Sequence, residues 1–565
     1  GIQALVRLLL DQHRLDLIAG LNTATLVSGY RGSPVGTLDI NLIKNRRILD
    51  EHNVKFIPGI NEDLGATMIY GSQMANMVSK LRYDGVLGMW YGKAPGVDRS
   101  GDIFRHANYL GVGKNGGVLT VAGDDPACKS STLPSQSEPA LFDAMMPIFY
   151  PGNIQEILDL GLYAYGMSRF TGLWSGFKIV TDIADGFGSV FVHPDRISIA
   201  IPDFTYNGKP WAHTQNAKLV GHHSLPTEKE IHLGRIQAAK HFASVNKINR
   251  IIVSSENDTI GIITAGKTYY DVMEAFDSLG WTHDYLNKIG IRILKLGLTY
   301  PLEPSVIDKF SKGLNEIMVV EEKRSFIEML LKEIMYNQPN KPIIVGKCDE
   351  NNNELFPSYG ELTADTVSKI VFKRYSEKLN IDTPNTRITI LDEIDNRVYA
   401  QSFSNRSMYY CSGCPHNTST LKMPEGDSAF GGIGCHLMAM FVDDGQAFGT
   451  TQMGGEGAQW VGMEPFIEKE HMFQNVGDGT FFHSGSLALR QAVASNSHLT
   501  FKILYNRAVA MTGAQEPDGA LDLPELTKYL KSEGVKKVVI TTDYPSAYDS
   551  IKRSRWDKDT EIFHR

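Results

Sequence analysis

The apolar pattern is clearest over residues 471–515. An apolar lead runs into Gly477-Asp478-Gly479, where two glycines permit a tight turn and one carboxylate is left at it. Leu487, Leu489, Ala492 and Val493 recur at helical spacing and predict a helix over 484–496. TFKILYN (500–506) then reads as a buried strand ending at Asn506. Strand, acidic turn, helix, strand and amide make a βαβ unit. In a parallel sheet both strand ends lie on one edge, so Asp478 and Asn506 converge despite their distance in sequence. Oxygen ligands at a glycine-lined turn suit Mg²⁺ bridged to a diphosphate, since this hard cation takes few protein oxygens and fills the rest from phosphate and water.

Upstream, short apolar runs alternate with helical stretches. ATLVSGY (24–30), VKFIPG, GVLGMWYG (85–92) and GGVLTVAGDD (116–125) read as strands, and a long helix is expected near 153–166. This alternation predicts a parallel, doubly wound sheet over residues 1–200. Residues 201–250 read as a linker and a helical approach. Residues 251–348 form a smaller α/β unit, 349–405 a polar connector, and 406–565 a last domain holding the Gly-Asp-Gly turn. Glu321 and Glu322, in VEEKRSF, are expected at a solvated strand end. Trp90, Tyr91 and Trp460 suit a core better than a pocket.

Composition narrows the class. The 565 residues are 42% apolar and 21% charged, as in ordinary globular proteins, and are enough for three to four domains. A net charge of −8 without a basic run argues against nucleic-acid binding. No apolar stretch is long enough to span a bilayer and no signal peptide precedes the fold, so a cytoplasmic protein is expected. The chain begins Gly-Ile-Gln and ends at Arg565, as a fragment or the ordered part of a longer polypeptide would.

Five cysteines do not make a disulfide scaffold. Cys411 and Cys414, followed by Cys435, fit a [4Fe–4S] site lacking its fourth ligand, a zinc site completed by His416 or His436, or a redox pair. Cys128 and Cys348 fit no motif, and His222 and His223 read as solvated. Glu62 stands at a strand-to-helix junction, where glutamate is commonly a solvated cap.

GYRGSPVGTLD (29–39), YGKAPGVDRSGDIFRHAN (91–108), GDDPACKSST (123–132) and CSGCPHN (411–417), with the 477–512 segment, resemble indolepyruvate ferredoxin oxidoreductase, in particular its long single-chain bacterial form. The resemblance implies two thiamine diphosphate-binding domains, of pyrimidine and diphosphate type, flanking a transketolase C-terminal-like domain. It makes Glu62 the carboxylate that activates the aminopyrimidine ring and Ser33 a hydroxyl facing the substrate. Arg31, Arg105 and Lys129 are candidates for the substrate carboxylate. Asp478, Asn506 and the Ala508 carbonyl would hold Mg²⁺, and Gly477, Gly479, Thr512, Gly434 and His436 complete the cofactor-binding set. Cys411, Cys414 and Cys435 match cluster ligands. The family's fourth cysteine lies beyond the thiamine motif, where this sequence has none.

The activity so implied is oxidative decarboxylation of an aryl or other bulky 2-oxo acid to acyl-CoA. Thiamine diphosphate, Mg²⁺ and [4Fe–4S] clusters would serve as cofactors, coenzyme A as co-substrate and ferredoxin as acceptor, in a homodimer. The competing readings are a non-oxidative thiamine decarboxylase or ligase, and a zinc-bearing structural subunit.

Overall fold

The structure, a computed structural model, describes residues 1–193, 196–379, 381, 385–400, 408–421, 423–424, 426–442 and 447–565. The end of the expected connector and the start of the expected last domain, 401–407, lie outside the described residues. The chain divides into two compact units, Gly1–Phe403 and Ser404–Arg565.

In the first unit, short strands rich in valine, leucine and aromatics feed helices with small residues on their packing faces. Helix α1 (Ile2–Ile18) precedes β1 (Ala24–Gly29), β2 (Val54–Phe56), α2 (Glu62–Val78), β3 (Val86–Lys93), α3 (Ala94–Arg99), β4 (Gly117–Asp124), β5 (Ile148–Phe149), α4 (Ile154–Thr171) and β6 (Ser175–Val180). Every residue of β4 and β6 is buried, as expected for a parallel sheet covered on both faces. Trp90 and Tyr91 sit in this core.

A second sheet follows, built from β7 (Arg250–Val253), β8 (Ile260–Ala265), β9 (Ile291–Leu296), β11 (Glu316–Val320) and β12 (Ile343–Val345), in the order β12-β11-β8-β9-β7. Between them in sequence, β10 (Leu298–Tyr300) leaves this sheet and pairs antiparallel with β5. The first sheet therefore runs β10-β5-β6-β4-β3-β1-β2 and takes its edge strand from beyond residue 250. One apolar core joins Leu5, Val121 and Phe177 to Leu296, Leu298 and Val319.

Two sequence expectations are corrected here. The polar connector contains α5 (Ala364–Lys378) and α6 (Thr386–Ala400), and α5 buries Val367, Val371 and Tyr375 in the core of the second sheet. Glu321 and Glu322 are not solvated: they are 6% and 5% exposed. The Glu321 carboxylate accepts the Phe326, Ile327 and Glu328 amides at 2.8–3.1 Å, capping the helix Ile327–Met335 from a turn away. Periodicity puts these glutamates at a strand end, but only the following turn shows that amide donors meet them.

The second unit carries β13 (Ala429–Phe430), β14 (Ala447–Phe448), β15 (Met472–Gly477) and β16 (Leu499–Leu504), all parallel, in the order β14-β13-β15-β16. The helical run after β15 starts at Asp478 itself and reaches Ala494 through a π-helical turn at Phe481–Gly485. The expected turn is thus the first turn of a longer helix than 484–496. Trp460 is fully buried, its Nε1 donating to the His498 carbonyl at 3.1 Å.

Candidate active site

In the first unit, the loops after β1, β2, β3 and β4 leave one edge of the parallel sheet, and Glu62 starts the helix after β2. Asn61 caps α2, its side chain accepting the Leu64 amide at 3.1 Å, which fixes where the helix begins and so where Glu62 points. Gly65, one turn on, lies against the backbone of Gly29; a Cβ there would stand 2.9 Å from the Gly29 Cα, so only glycine lets α2 approach β1 this closely. Glu62 is 8% exposed, and its carbonyl accepts the Trp90 indole N–H at 2.9 Å. At the same sheet edge, after β1, is the loop of Ser33, whose Oγ accepts the Ser130 hydroxyl at 2.6 Å. Asp125 organises that second loop by accepting Lys129 N, Ser130 N and the Ser131 hydroxyl at 2.6–2.9 Å.

The three cations considered for the substrate are already engaged. Arg31 is buried, 3.5 Å from Asp39 and over the Tyr30 ring, Arg105 pairs with Asp143, and Lys129 bridges Asp182 and Glu361 at 3.4 and 3.2 Å. Each therefore already has a carboxylate partner, which sequence cannot reveal.

In the second unit, Asp478 and Asn506 meet at adjacent strand ends. Asp478 Oδ2 accepts the Asn506 and Arg507 amides at 3.0 and 2.6 Å, and Oδ1 accepts the Gly479 amide at 2.8 Å. Asn506 Oδ1 in turn accepts the Ala508 amide at 3.0 Å, closing the turn that leads to Thr512. Burial pushes the Asp478 carboxyl upward while these amides draw it down.

Facing this edge is a cradle of unsatisfied buried groups. Gly432 lies where His436, Asn475 and Glu456 converge; a Cβ would fall 2.8 Å from His436 Nε2, 2.9 Å from the Asn475 carbonyl and 3.1 Å from Glu456 Cγ. His436 Nε2, both side-chain polar atoms of Asn475 and Glu456 Oε1 are buried without a hydrogen-bond partner among the described residues. Each would cost about 1 to 3 kcal/mol if left so. Burial lowers the His436 imidazole to about 3 and raises the Glu456 carboxyl. Gly434, at φ 153°, lies over the His436 ring, and Gly479 packs on Val509. This cradle and the all-oxygen set of Asp478, Asn506 and Ala508 fit a metal-bound diphosphate. Glu456 and Asn475 escaped sequence reading, although Gly-Gly-Glu-Gly places a carboxylate between glycines just as the 477–479 turn does.

The cysteine loop is in the same unit. Cys414 N donates to the Cys411 carbonyl at 3.1 Å, and Cys414 Sγ lies 3.2 Å from His416 Nδ1. Burial raises the Cys435 thiol, and the charges of Cys414 and Cys411 add to this. Among the described residues no three His, Cys, Asp or Glu side chains surround a single metal position. The His416 ring stacks between Tyr410, at 5.6 Å, and His436, at 6.5 Å, linking the cysteine loop to the cradle. Cys128 donates to the Ser131 carbonyl, Cys348 is exposed, and His222 and His223 are exposed.

Parallel sheets and a diphosphate-type cradle define a multidomain α/β enzyme of the thiamine-dependent kind. Residues 250–396 match the indolepyruvate oxidoreductase domain, and residues 432–553 match the C-terminal TPP binding domain of thiamine pyrophosphate enzymes. The indolepyruvate oxidoreductase subunit IorA of Pyrococcus horikoshii is 24% identical over 499 residues, 82% of this chain and 72% of that protein. The Thermococcus kodakarensis subunit IorA is 26% identical over 505 residues, 84% and 73% of the two chains. The solved 2-oxoglutarate:ferredoxin oxidoreductase of Magnetococcus marinus aligns at 14% identity and TM-score 0.45, over 65% of this chain and 64% of that one. The chain is thus similar to indolepyruvate oxidoreductase subunits over most of its length, and its second unit matches a thiamine pyrophosphate-binding domain. No described helix is long and apolar enough to cross a membrane.

Proposed function

We propose that this enzyme oxidatively decarboxylates an aryl or other bulky 2-oxo acid to acyl-CoA and CO₂, with electrons passing through [4Fe–4S] centres to ferredoxin. Two one-electron acceptors are reduced per 2-oxo acid, and the thiol and carboxyl protons are released. Bound thiamine diphosphate would supply the nucleophilic carbon and the electron sink for loss of CO₂. Glu62 holds and moves the proton at the aminopyrimidine nitrogen. Asp478, Asn506 and the Ala508 carbonyl hold Mg²⁺, and the Gly432–Gly434 backbone leaves room for the diphosphate. Cys411, Cys414 and Cys435 ligate the proximal cluster. The observation that carries the oxidative reading is this cysteine trio in the same unit as the Asp478 turn, since a non-oxidative thiamine enzyme has no use for it. Five free cysteines fit a reducing compartment, the cytoplasm, and the working form is a homodimer.

The test is metal and acid-labile sulfide analysis of anaerobically purified protein, with visible spectra. Iron and sulfide at about four each per proximal site, bleaching on addition of 2-oxo acid and thiamine diphosphate, support the reading. Zinc without sulfide overturns electron transfer and favours non-oxidative chemistry.

A further inference from the structure

A 2-oxo acid brings a carboxylate to the Glu62 edge, and the three cations considered above are tied to Asp39, Asp143, Asp182 and Glu361. A fourth cation stands at that edge. Lys93 is the last residue of β3 and the N-cap of α3, and Gly96 of α3 is the residue against which Glu62 packs. One short strand-to-helix junction therefore carries the Lys93 side chain and, three residues on, the glycine that Glu62 of α2 packs against.

The surroundings of Lys93 are those of a reserved charge. Its Nζ donates to the Ser130 carbonyl at 3.0 Å, which uses one of three N–H bonds, and among the described residues no carboxylate lies within ion-pairing distance. Asp125, whose charge acts on Lys93, already serves two amides and the Ser131 hydroxyl. Ser130, whose carbonyl receives Lys93, also gives its hydroxyl to Ser33 Oγ at 2.6 Å, so the cation and the Ser33 hydroxyl flank one residue. Gly32 closes the group: a Cβ there would be 3.1 Å from Lys93 Cβ, so the loop of Ser33 lies directly on the lysine stem. Burial draws the ammonium down from its usual range and Asp125 and Cys128 pull it back, which leaves a cation whose hydration is already partly removed.

We propose that Lys93 is the specificity-determining cation that receives the substrate carboxylate, with the Ser33 hydroxyl beside it donating to an oxygen of the same 2-oxo acid. This assignment rests on the thiamine-dependent reading above. A lysine offers a point charge rather than the two-pronged grip of arginine, so it selects an acid without fixing the carboxylate plane from which CO₂ departs.

The test uses full-length protein loaded with thiamine diphosphate and Mg²⁺. Calorimetry measures binding of an aryl acid that keeps the carboxylate and lacks the keto group, beside its neutral amide. Lys93→Met is expected to weaken the acid about ten- to hundred-fold and to leave the amide unchanged, with Lys93→Arg partly restoring the acid. In turnover the KM for the 2-oxo acid rises, whereas oxidation of the corresponding aldehyde, which lacks the carboxylate, is unaffected. Equal acid binding by wild type and Lys93→Met, with the cofactor bound in both, overturns this inference and leaves the thiamine reading standing. Equal loss of acid, amide and cofactor binding assigns Lys93 a structural task and also overturns it. A wild-type protein that binds no thiamine diphosphate overturns both.

Discussion

Gly96 and Glu62 are in such close contact that a Cβ on the glycine would stand 2.5 Å from Glu62 Cγ. The space beside the carboxylate is therefore reserved by the absence of a side chain on another element. Gly96→Ala should push Glu62 off its position and lower thiamine-dependent turnover by about a hundred-fold. Affinity for thiamine diphosphate should be unchanged. Glu62→Gln should match that loss without displacing anything. Hydrogen–deuterium exchange at thiamine C2, followed by NMR, separates the two: both variants slow it, and only Gly96→Ala also shifts the melting temperature.

The Asp478 carboxylate holds three amides, two of them from the Asn506 turn. Asp478→Ala should lose both the metal ligand and the anchor of that turn. The expected result is at least a ten-fold weaker Mg²⁺-dependent binding of thiamine diphosphate, read by fluorescence quenching. Chelation of Mg²⁺ from the wild type should release the cofactor, and in the variant it should make little further difference.

Cys414 lies against His416, whose ring stacks towards His436 in the cradle. Cys414→Ser or Cys435→Ser should lower iron and sulfide together and abolish acceptor reduction while thiamine diphosphate still binds. Retained iron in both variants would remove these cysteines from the ligand set.

Glu321 gives a pH prediction. Burial, the largest influence, raises its carboxyl from 4.5 to about 7 against the amides of Ile327, Glu328 and Phe326 and the Lys347 charge. The folded chain thus holds a proton that the unfolded chain has released between these values. Its contribution to stability is complete below pH 4.5 and is lost as pH rises through about 7. Glu321→Gln should flatten this part of the stability profile in denaturant titrations. Glu321→Ala, which strips acceptors from a helix start, should cost about 2 kcal/mol.

What sequence made legible follows from range. The βαβ unit around Asp478 was readable because its strands and helix obey short periods, and the Asp478–Asn506 meeting follows from parallel pairing of Gly477 with Leu504. Glu321 was misread because its donors come from the turn beyond it. The connector hid α5 because polar residues cover its outer face while Val367, Val371 and Tyr375, flanked by Ile370 and Phe372, mark the inner one. The engagement of Arg31, Arg105 and Lys129, and the reserve of Lys93, depend on which carboxylates arrive from other loops. Residue type and spacing do not encode that.

The strand Leu298–Tyr300 has a consequence for anyone dividing this protein. A boundary at residue 200 looks natural in sequence, yet it would remove the strand that covers Ile148 and Phe149 and expose a bare, apolar sheet margin to other chains. Such a piece should precipitate or pair with itself. The first two α/β layers are a single inheritable block, to be cloned, swapped or fused only as residues 1–403.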